Sequence, residues 1–240
     1  MEKREGYRKA QLQARPLNNT PAGETTRGLQ QLDLNQKKEC LLYVPAGYCP
    51  DTASALILLL HGAGGNAAHG LFYLQQYADK NNLILLAPAS QDYSWDIIAA
   101  DAFGVDVLFI DRVLSYVFER FFINPQRLAI GGFSDGASYA LCIGLSNGNL
   151  FSHVIAFSPG FYYTYEERGR PSLFVSHGVK DDVLPIDPCS RRIVPRLQHG
   201  GYEVLYKEFN GRHEIPAAVS QQAVNWYLEE SSHQAIPTLI

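Results

Sequence analysis

Short apolar runs rich in Leu, Ile and Val, at residues 40–44, 55–60, 83–87, 128–133, 153–157, 172–176 and 203–209, alternate with longer segments of helical period. The longer segments cover 67–80, 102–122, 136–145, 188–198 and 216–228. A strand that is apolar throughout must be covered on both sides, and helices that cross between parallel strands supply that cover. The expected architecture is therefore α/β, a mostly parallel sheet with helices on both faces.

At 240 residues and 46% hydrophobic content, the chain suffices for one sizeable core. Residues 1–27 are polar, are broken by Pro16, Pro21 and Gly23, and read as an irregular N-terminal arm. Residues 28–240 read as a single domain.

Charge excludes several function classes. A net charge of −4 with 18% charged residues leaves no basic face for nucleic acid and no acidic tail. The start, MEKREGYRKAQLQARP, lacks the apolar core of a secretory signal, and the longest apolar run, 55–60, is too short to span a bilayer. A cytoplasmic protein with no stable membrane insertion is expected. The four cysteines, Cys40, Cys49, Cys142 and Cys189, show no C-x-x-C pairing, so neither zinc nor a disulfide framework is indicated. Asn18-Asn19-Thr20 fits the glycosylation pattern, which has no meaning in that compartment.

The pattern G-x-S-x-G occurs twice, around Ser134 and around Ser146. Ser134 falls where the apolar run LAIGGF ends and a helical segment begins, which puts its hydroxyl on a strand-to-helix turn. Gly132 and Gly136 suit so tight a turn, because a β-carbon there has no room. Ser146 follows a helical stretch, and SNGN reads as a helix stop. A serine nucleophile needs a histidine to take its proton and a carboxylate to orient that histidine. On a parallel sheet these come from loops at the carboxyl ends of later strands. The loop HGVKDDVLP offers Asp181 or Asp182, and GRHEIP offers His213. Earlier, LLLHGAGGN forms a glycine-rich turn able to aim backbone N–H groups at a developing oxyanion. That turn lacks the third glycine of a dinucleotide loop and the Gly-Lys-Ser/Thr ending of a P-loop.

In LLLHGAGGN, GGFSDGAS, SHGVKDDVLP and GRHEIP, taken in that order, the chain resembles α/β-hydrolases of the carboxylesterase and phospholipase type, with acyl-protein thioesterases and relatives of dienelactone hydrolase. The resemblance runs from about residue 32 to the end of the chain. It implies the α/β-hydrolase fold, with Ser134 as nucleophile, Asp181 as acid, His213 as base, and the N–H groups of Ala63 and Asp135 as the oxyanion hole. The family's spacing from His177 matches Asp181 better than Asp182. No metal or organic cofactor is implied.

Gly64 in the glycine turn, Trp95 in YSWD and Tyr162 in FYYTY follow strands, and all three are candidates to line a substrate pocket. His61 and His177 end strands beside glycine and read as structural; His69, His153, His199 and His233 lack a paired motif. Residues 158–171, the link after the strand at 153–157, leave no room for a large cap domain. The expected activity is hydrolysis of small or short-to-medium acyl esters through an acyl-serine intermediate, with a small-molecule ester as the partner. A thioesterase, a lysophospholipase, a peptidase and a non-enzymatic receptor on the same fold stay as alternatives.

Overall fold

The computed structural model describes residues 6–17, 26–34 and 38–233. The glycosylation pattern at Asn18 and the His233 side chain lie outside them. An eight-stranded sheet runs in the order β1-β2-β4-β3-β5-β6-β7-β8. Its strands are β1 (Gly28–Gln31), β2 (Cys40–Val44), β3 (Ser54–Leu60), β4 (Leu83–Pro88), β5 (Ile123–Phe133), β6 (His153–Phe157), β7 (Ser172–Gly178) and β8 (Val204–Phe209). The pairs β1–β2 and β2–β4 are antiparallel, and every other neighbouring pair is parallel.

The two-residue period of a strand divides the core into two layers. Leu56, Leu58 and Leu60 of β3 enter one layer, with side chains of α4 (Val105–Phe118), α5 (Asp135–Ser146) and α6 (Ser190–His199). Ala55, Ile57 and Leu59 enter the other, with α1 (Ala67–Phe72), α2 (Ala78–Asn81) and α7 (Ala217–His233). The short helix α3 (Asp96–Ala99) follows β4.

Three local departures from the sequence pattern have physical causes. The single helix expected over 67–80 is instead α1, a 3-10 turn (Gln75–Tyr77) and α2. Leu71, Leu74 and Tyr77 are all buried at a spacing of three, which the tighter helix matches better than 3.6. Strand β5 begins at Ile123, ahead of the apolar run, where Ile123 pairs with Ser54 across a register shift before Leu128 meets Leu56. Strand β1 is absent from the sequence reading because GLQQ is short and half polar, as suits an edge.

Residues 11–17 carry no regular structure, yet they are fastened to the domain. Asp111 Oδ1 on α4 accepts from the backbone N–H groups of Gln13 and Ala14 at 2.6 and 2.8 Å, and Tyr7 Oη donates to its other oxygen. Asn147, which ends α5, accepts from Leu12 N–H and donates to the Ala10 carbonyl. Ala10, Leu12 and Ala14 are buried beside these anchors.

Between β6 and β7, residues 158–171 form no helix, and among the described residues no large cap covers the carboxyl end of the sheet. Among the described residues, no helix is long and apolar enough to cross a membrane.

Candidate active site

Strand β5 ends at Phe133, and α5 starts at Asp135, which leaves Ser134 alone at the turn with φ 57° and ψ −121°. That left-handed conformation is strained for a residue with a β-carbon, and it is held by the Ser134 N–H bond to the Phe157 carbonyl at 2.9 Å. The flanking glycines permit it. A β-carbon on Gly136 would lie 2.2 Å from the Leu60 carbonyl oxygen, and one on Gly132 would lie 2.5 Å from the Gly136 backbone.

The other side chains arrive from loops after β7 and β8. Close approach of these loops needs Gly178, where a β-carbon would lie 2.2 Å from the Arg212 carbonyl. Val179 and Lys180 N–H donate to the carbonyls of Phe209 and Gly211, each at 2.9 Å, and so tie one loop to the other. His213 then stands between the two loops, its ring 4.5 Å from that of Phe133. Its Nε2 lies 2.9 Å from Ser134 Oγ, and its Nδ1 lies 2.6 Å from Asp181 Oδ2. With the proton on Nδ1, the imidazole donates to the carboxylate and accepts from the serine hydroxyl.

Asp181 is buried among donors. Its Oδ1 accepts from Val183 and Leu184 N–H at 3.0 and 2.8 Å, and its Oδ2 also lies 3.2 Å from His177 Nε2. Burial works to raise this carboxyl, but hydrogen bonds from His213, Leu184 and Val183 outweigh it and hold the group below its ordinary range. Asp182 points elsewhere, exposed and 3.6 Å from Arg212. Ser146 is fully buried at the end of α5.

Ala63 lies exposed in the glycine turn, and among the described residues no protein acceptor takes its N–H. Asp135 opens α5, so its N–H has no acceptor within the helix. His61 fixes the turn from below. It is pushed down from its ordinary pKa by burial and so stays neutral, donating from Nδ1 to the Gly62 carbonyl and accepting at Nε2 from Ser90 N–H. Gly64, at φ 65°, donates its N–H to the Tyr93 carbonyl and lies under the Tyr93 ring.

Trp95 corrects an expectation. It is fully buried, stacked on Tyr139 at 5.0 Å with its Nε1 donating to the His61 carbonyl, and therefore does not line an open pocket. Tyr162 is also buried, with the Arg196 guanidinium over its ring, beside a hollow of ≈ 180 Å³ that Pro188 and Ile193 share.

Sequence reasoning missed four contributing residues. His177 is buried against Asp181, Ser94 Oγ donates to Asp135 Oδ2 at 2.5 Å, and Asp96 and Asp106 cap one another's helices. Burial raises both of these last carboxyls, Asp106 to about 7. Only the doublet DD and the histidine before it, in HGVKDD, hinted at the first.

A family described as putative esterase matches residues 33–172, more than half of the chain. The chain belongs to this esterase family. The matched part of the chain holds the glycine turn and Ser134, while Asp181 and His213 lie beyond it. Feruloyl esterase C of Emericella nidulans is 26% identical over 170 residues, which cover 68% of this chain and 60% of that protein. Probable feruloyl esterase C of Aspergillus flavus is 27% identical over 221 residues, covering 83% and 77%. Among solved structures, esterase PE8 superposes with a TM-score of 0.64 at 20% identity, over 84% of this chain and 99% of that one. Zea mays acyl-protein thioesterase 2 superposes at 0.61 and 19% identity, over 81% and 99%. At such identities these structures establish the shared α/β-hydrolase fold.

Proposed function

We propose that this esterase hydrolyses carboxylic esters through an acyl-serine intermediate, with Ser134, His213 and Asp181 as the catalytic residues. The observation that carries the reading is the unbroken chain of contacts from Ser134 Oγ through both ring nitrogens of His213 to Asp181 Oδ2. As Ser134 Oγ bonds to the carbonyl carbon, His213 Nε2 takes its proton and the carbonyl electrons move onto oxygen. The Ala63 and Asp135 N–H groups stabilise that charge. Collapse of the adduct expels the alcohol, which leaves with the proton from His213. A water, deprotonated by the same nitrogen, then releases the acid and restores Ser134.

The substrates are esters of small or short-to-medium acids, free to enter where no large cap stands in the way. The feruloyl esterases among the relatives make a hydroxycinnamate ester the first aromatic member to try. A cytoplasmic site of action is part of the proposal, supported by the unpaired thiols of Cys40, Cys49, Cys142 and Cys189. The test is a panel of aryl esters of graded acyl length, methyl ferulate and a matched thioester, with mass-spectrometric location of a fluorophosphonate label. Label on Ser134 and turnover of the esters are expected. Label elsewhere, or turnover of the thioester alone, overturns the assignment.

A further inference from the structure

The oxyanion donors come from two loops that are far apart in the chain. Ala63 belongs to the turn after β3, and Asp135 to the turn after β5. Stabilisation of a tetrahedral adduct depends on the spacing between such donors, because each must reach the same oxygen. Something must hold the two loops in register.

Residues 93–95 touch both. The Tyr93 carbonyl accepts the Gly64 N–H at 2.8 Å, next to Ala63. The Trp95 indole donates to the His61 carbonyl at 2.9 Å, two residues before Ala63. Between them, Ser94 Oγ donates to Asp135 Oδ2, on the residue that carries the second donor. Ser94 is buried, so this hydroxyl does not exchange freely with solvent for its partner.

The segment has its own foundation. Asp106 Oδ1 accepts from Gln91 N–H at 2.7 Å and its Oδ2 from Asp96 N–H at 2.8 Å. Asp96 Oδ2 in turn accepts from the N–H groups of Gly104 and Asp106, while its Oδ1 accepts from Tyr139 Oη of α5. These reciprocal caps brace both ends of the 91–106 loop and tie it to the helix that carries Asp135 at its start.

We propose that residues 93–95 are a positioning clamp that sets the separation of the Ala63 and Asp135 N–H groups, with Ser94 acting through Asp135. The clamp rests on the esterase reading of the site. The Ser94 hydroxyl bonds to Asp135 and to neither Ser134 nor His213, so it is a positioning residue and not a catalytic one.

The experiment compares wild type with Ser94→Ala, Asp135→Ala, Asp135→Asn and the double alanine variant, using p-nitrophenyl acetate as substrate and phenylboronic acid as a tetrahedral-adduct mimic. Ser94→Ala is expected to lower kcat roughly ten- to a hundredfold, since displacing one donor forfeits part of its contribution. KM should stay within about twofold, because ground-state binding does not use these donors. The boronate inhibition constant should rise by a similar factor to the fall in kcat. Asp135→Asn, which keeps an acceptor oxygen for Ser94, should lose less kcat than Asp135→Ala, which keeps none. The double variant should be no worse than the poorer single one, as two members of one contact are not additive. Unchanged kcat and boronate affinity in Ser94→Ala, with wild-type turnover intact, overturn the clamp alone. Additive losses, or a fall in Tm and kcat with boronate affinity preserved, also overturn it, since they describe ordinary structural support. No turnover in wild type overturns the esterase reading and the clamp together.

Discussion

His177 Nε2 lies 3.2 Å from Asp181 Oδ2, the same oxygen that meets His213. Burial pushes His177 below its ordinary pKa, so it is a neutral donor here. Its Nδ1 accepts from Ser190 Oγ at 2.7 Å, which leaves the proton on Nε2, shared between the Leu184 carbonyl and Asp181. A neutral donor steadies the carboxylate without competing with His213 for its charge. His177→Ala should lower kcat roughly tenfold, the scale of one hydrogen bond to a charged group. KM should change little. Steady-state kinetics at pH 8 check this, and an unchanged kcat would reduce His177 to a packing residue.

Neighbouring aspartates separate role from proximity. Asp181→Asn presents an amide to His213 and can hold it in the wrong tautomer, so a loss of roughly a thousandfold or more is expected. Asp182→Asn removes only an exposed ion pair with Arg212, worth little, and turnover should stay within about twofold. Comparable losses in the two variants would refute the choice of acid.

Ser134→Ala should lower turnover by roughly three to six orders of magnitude, because the covalent route disappears. Ser146→Ala should leave kcat nearly unchanged, as that side chain is buried at the far end of α5. Fluorophosphonate labelling followed by peptide mapping reads both at once.

Stability should carry an acid dependence from His153. Burial, aided by the charge of Arg127, pushes it down to about 4, and its ring packs edge-on against Trp226 and Tyr227. A group depressed in the folded state contributes stability above its unfolded value of about 6.5 and loses it as pH falls towards 4. The full span is about 3 kcal/mol. Asp106, raised to about 7, acts in the opposite sense and loses its contribution as pH rises through that value. The difference in urea unfolding free energy between wild type and His153→Phe therefore isolates the histidine. The wild-type value minus the variant's should fall as pH drops from 7 to 4, and a flat difference would contradict the assigned direction.

With no helix in residues 158–171, substrate entry should not wait for a large lid. Rates on a short-chain ester should rise smoothly through its solubility limit. An abrupt increase at emulsion formation would point to an interfacial switch.

The amino-acid sequence by itself determined seven of the eight strands, the elbow and the chain order of Ser134, Asp181 and His213. Apolar runs between turn residues report burial locally, and Gly132 and Gly136 announce a backbone that leaves no space for a β-carbon. Other features depended on contacts that no local period encodes. Trp95 reads equally well as pocket wall or core until the His61 carbonyl is seen to lie at its indole nitrogen. The choice of Asp181 over Asp182, which spacing and resemblance favoured, acquires a physical basis only in the direction each side chain takes from the loop after β7. The pairings of Ser94 with Asp135, His177 with Asp181, and Asp111 with the arm join polar atoms across loops and helices. A polar side chain carries the same pattern in a sequence whether solvent or a buried partner satisfies it. Only the packing of the sheet and its helices decides which atoms are removed from water and must find one another.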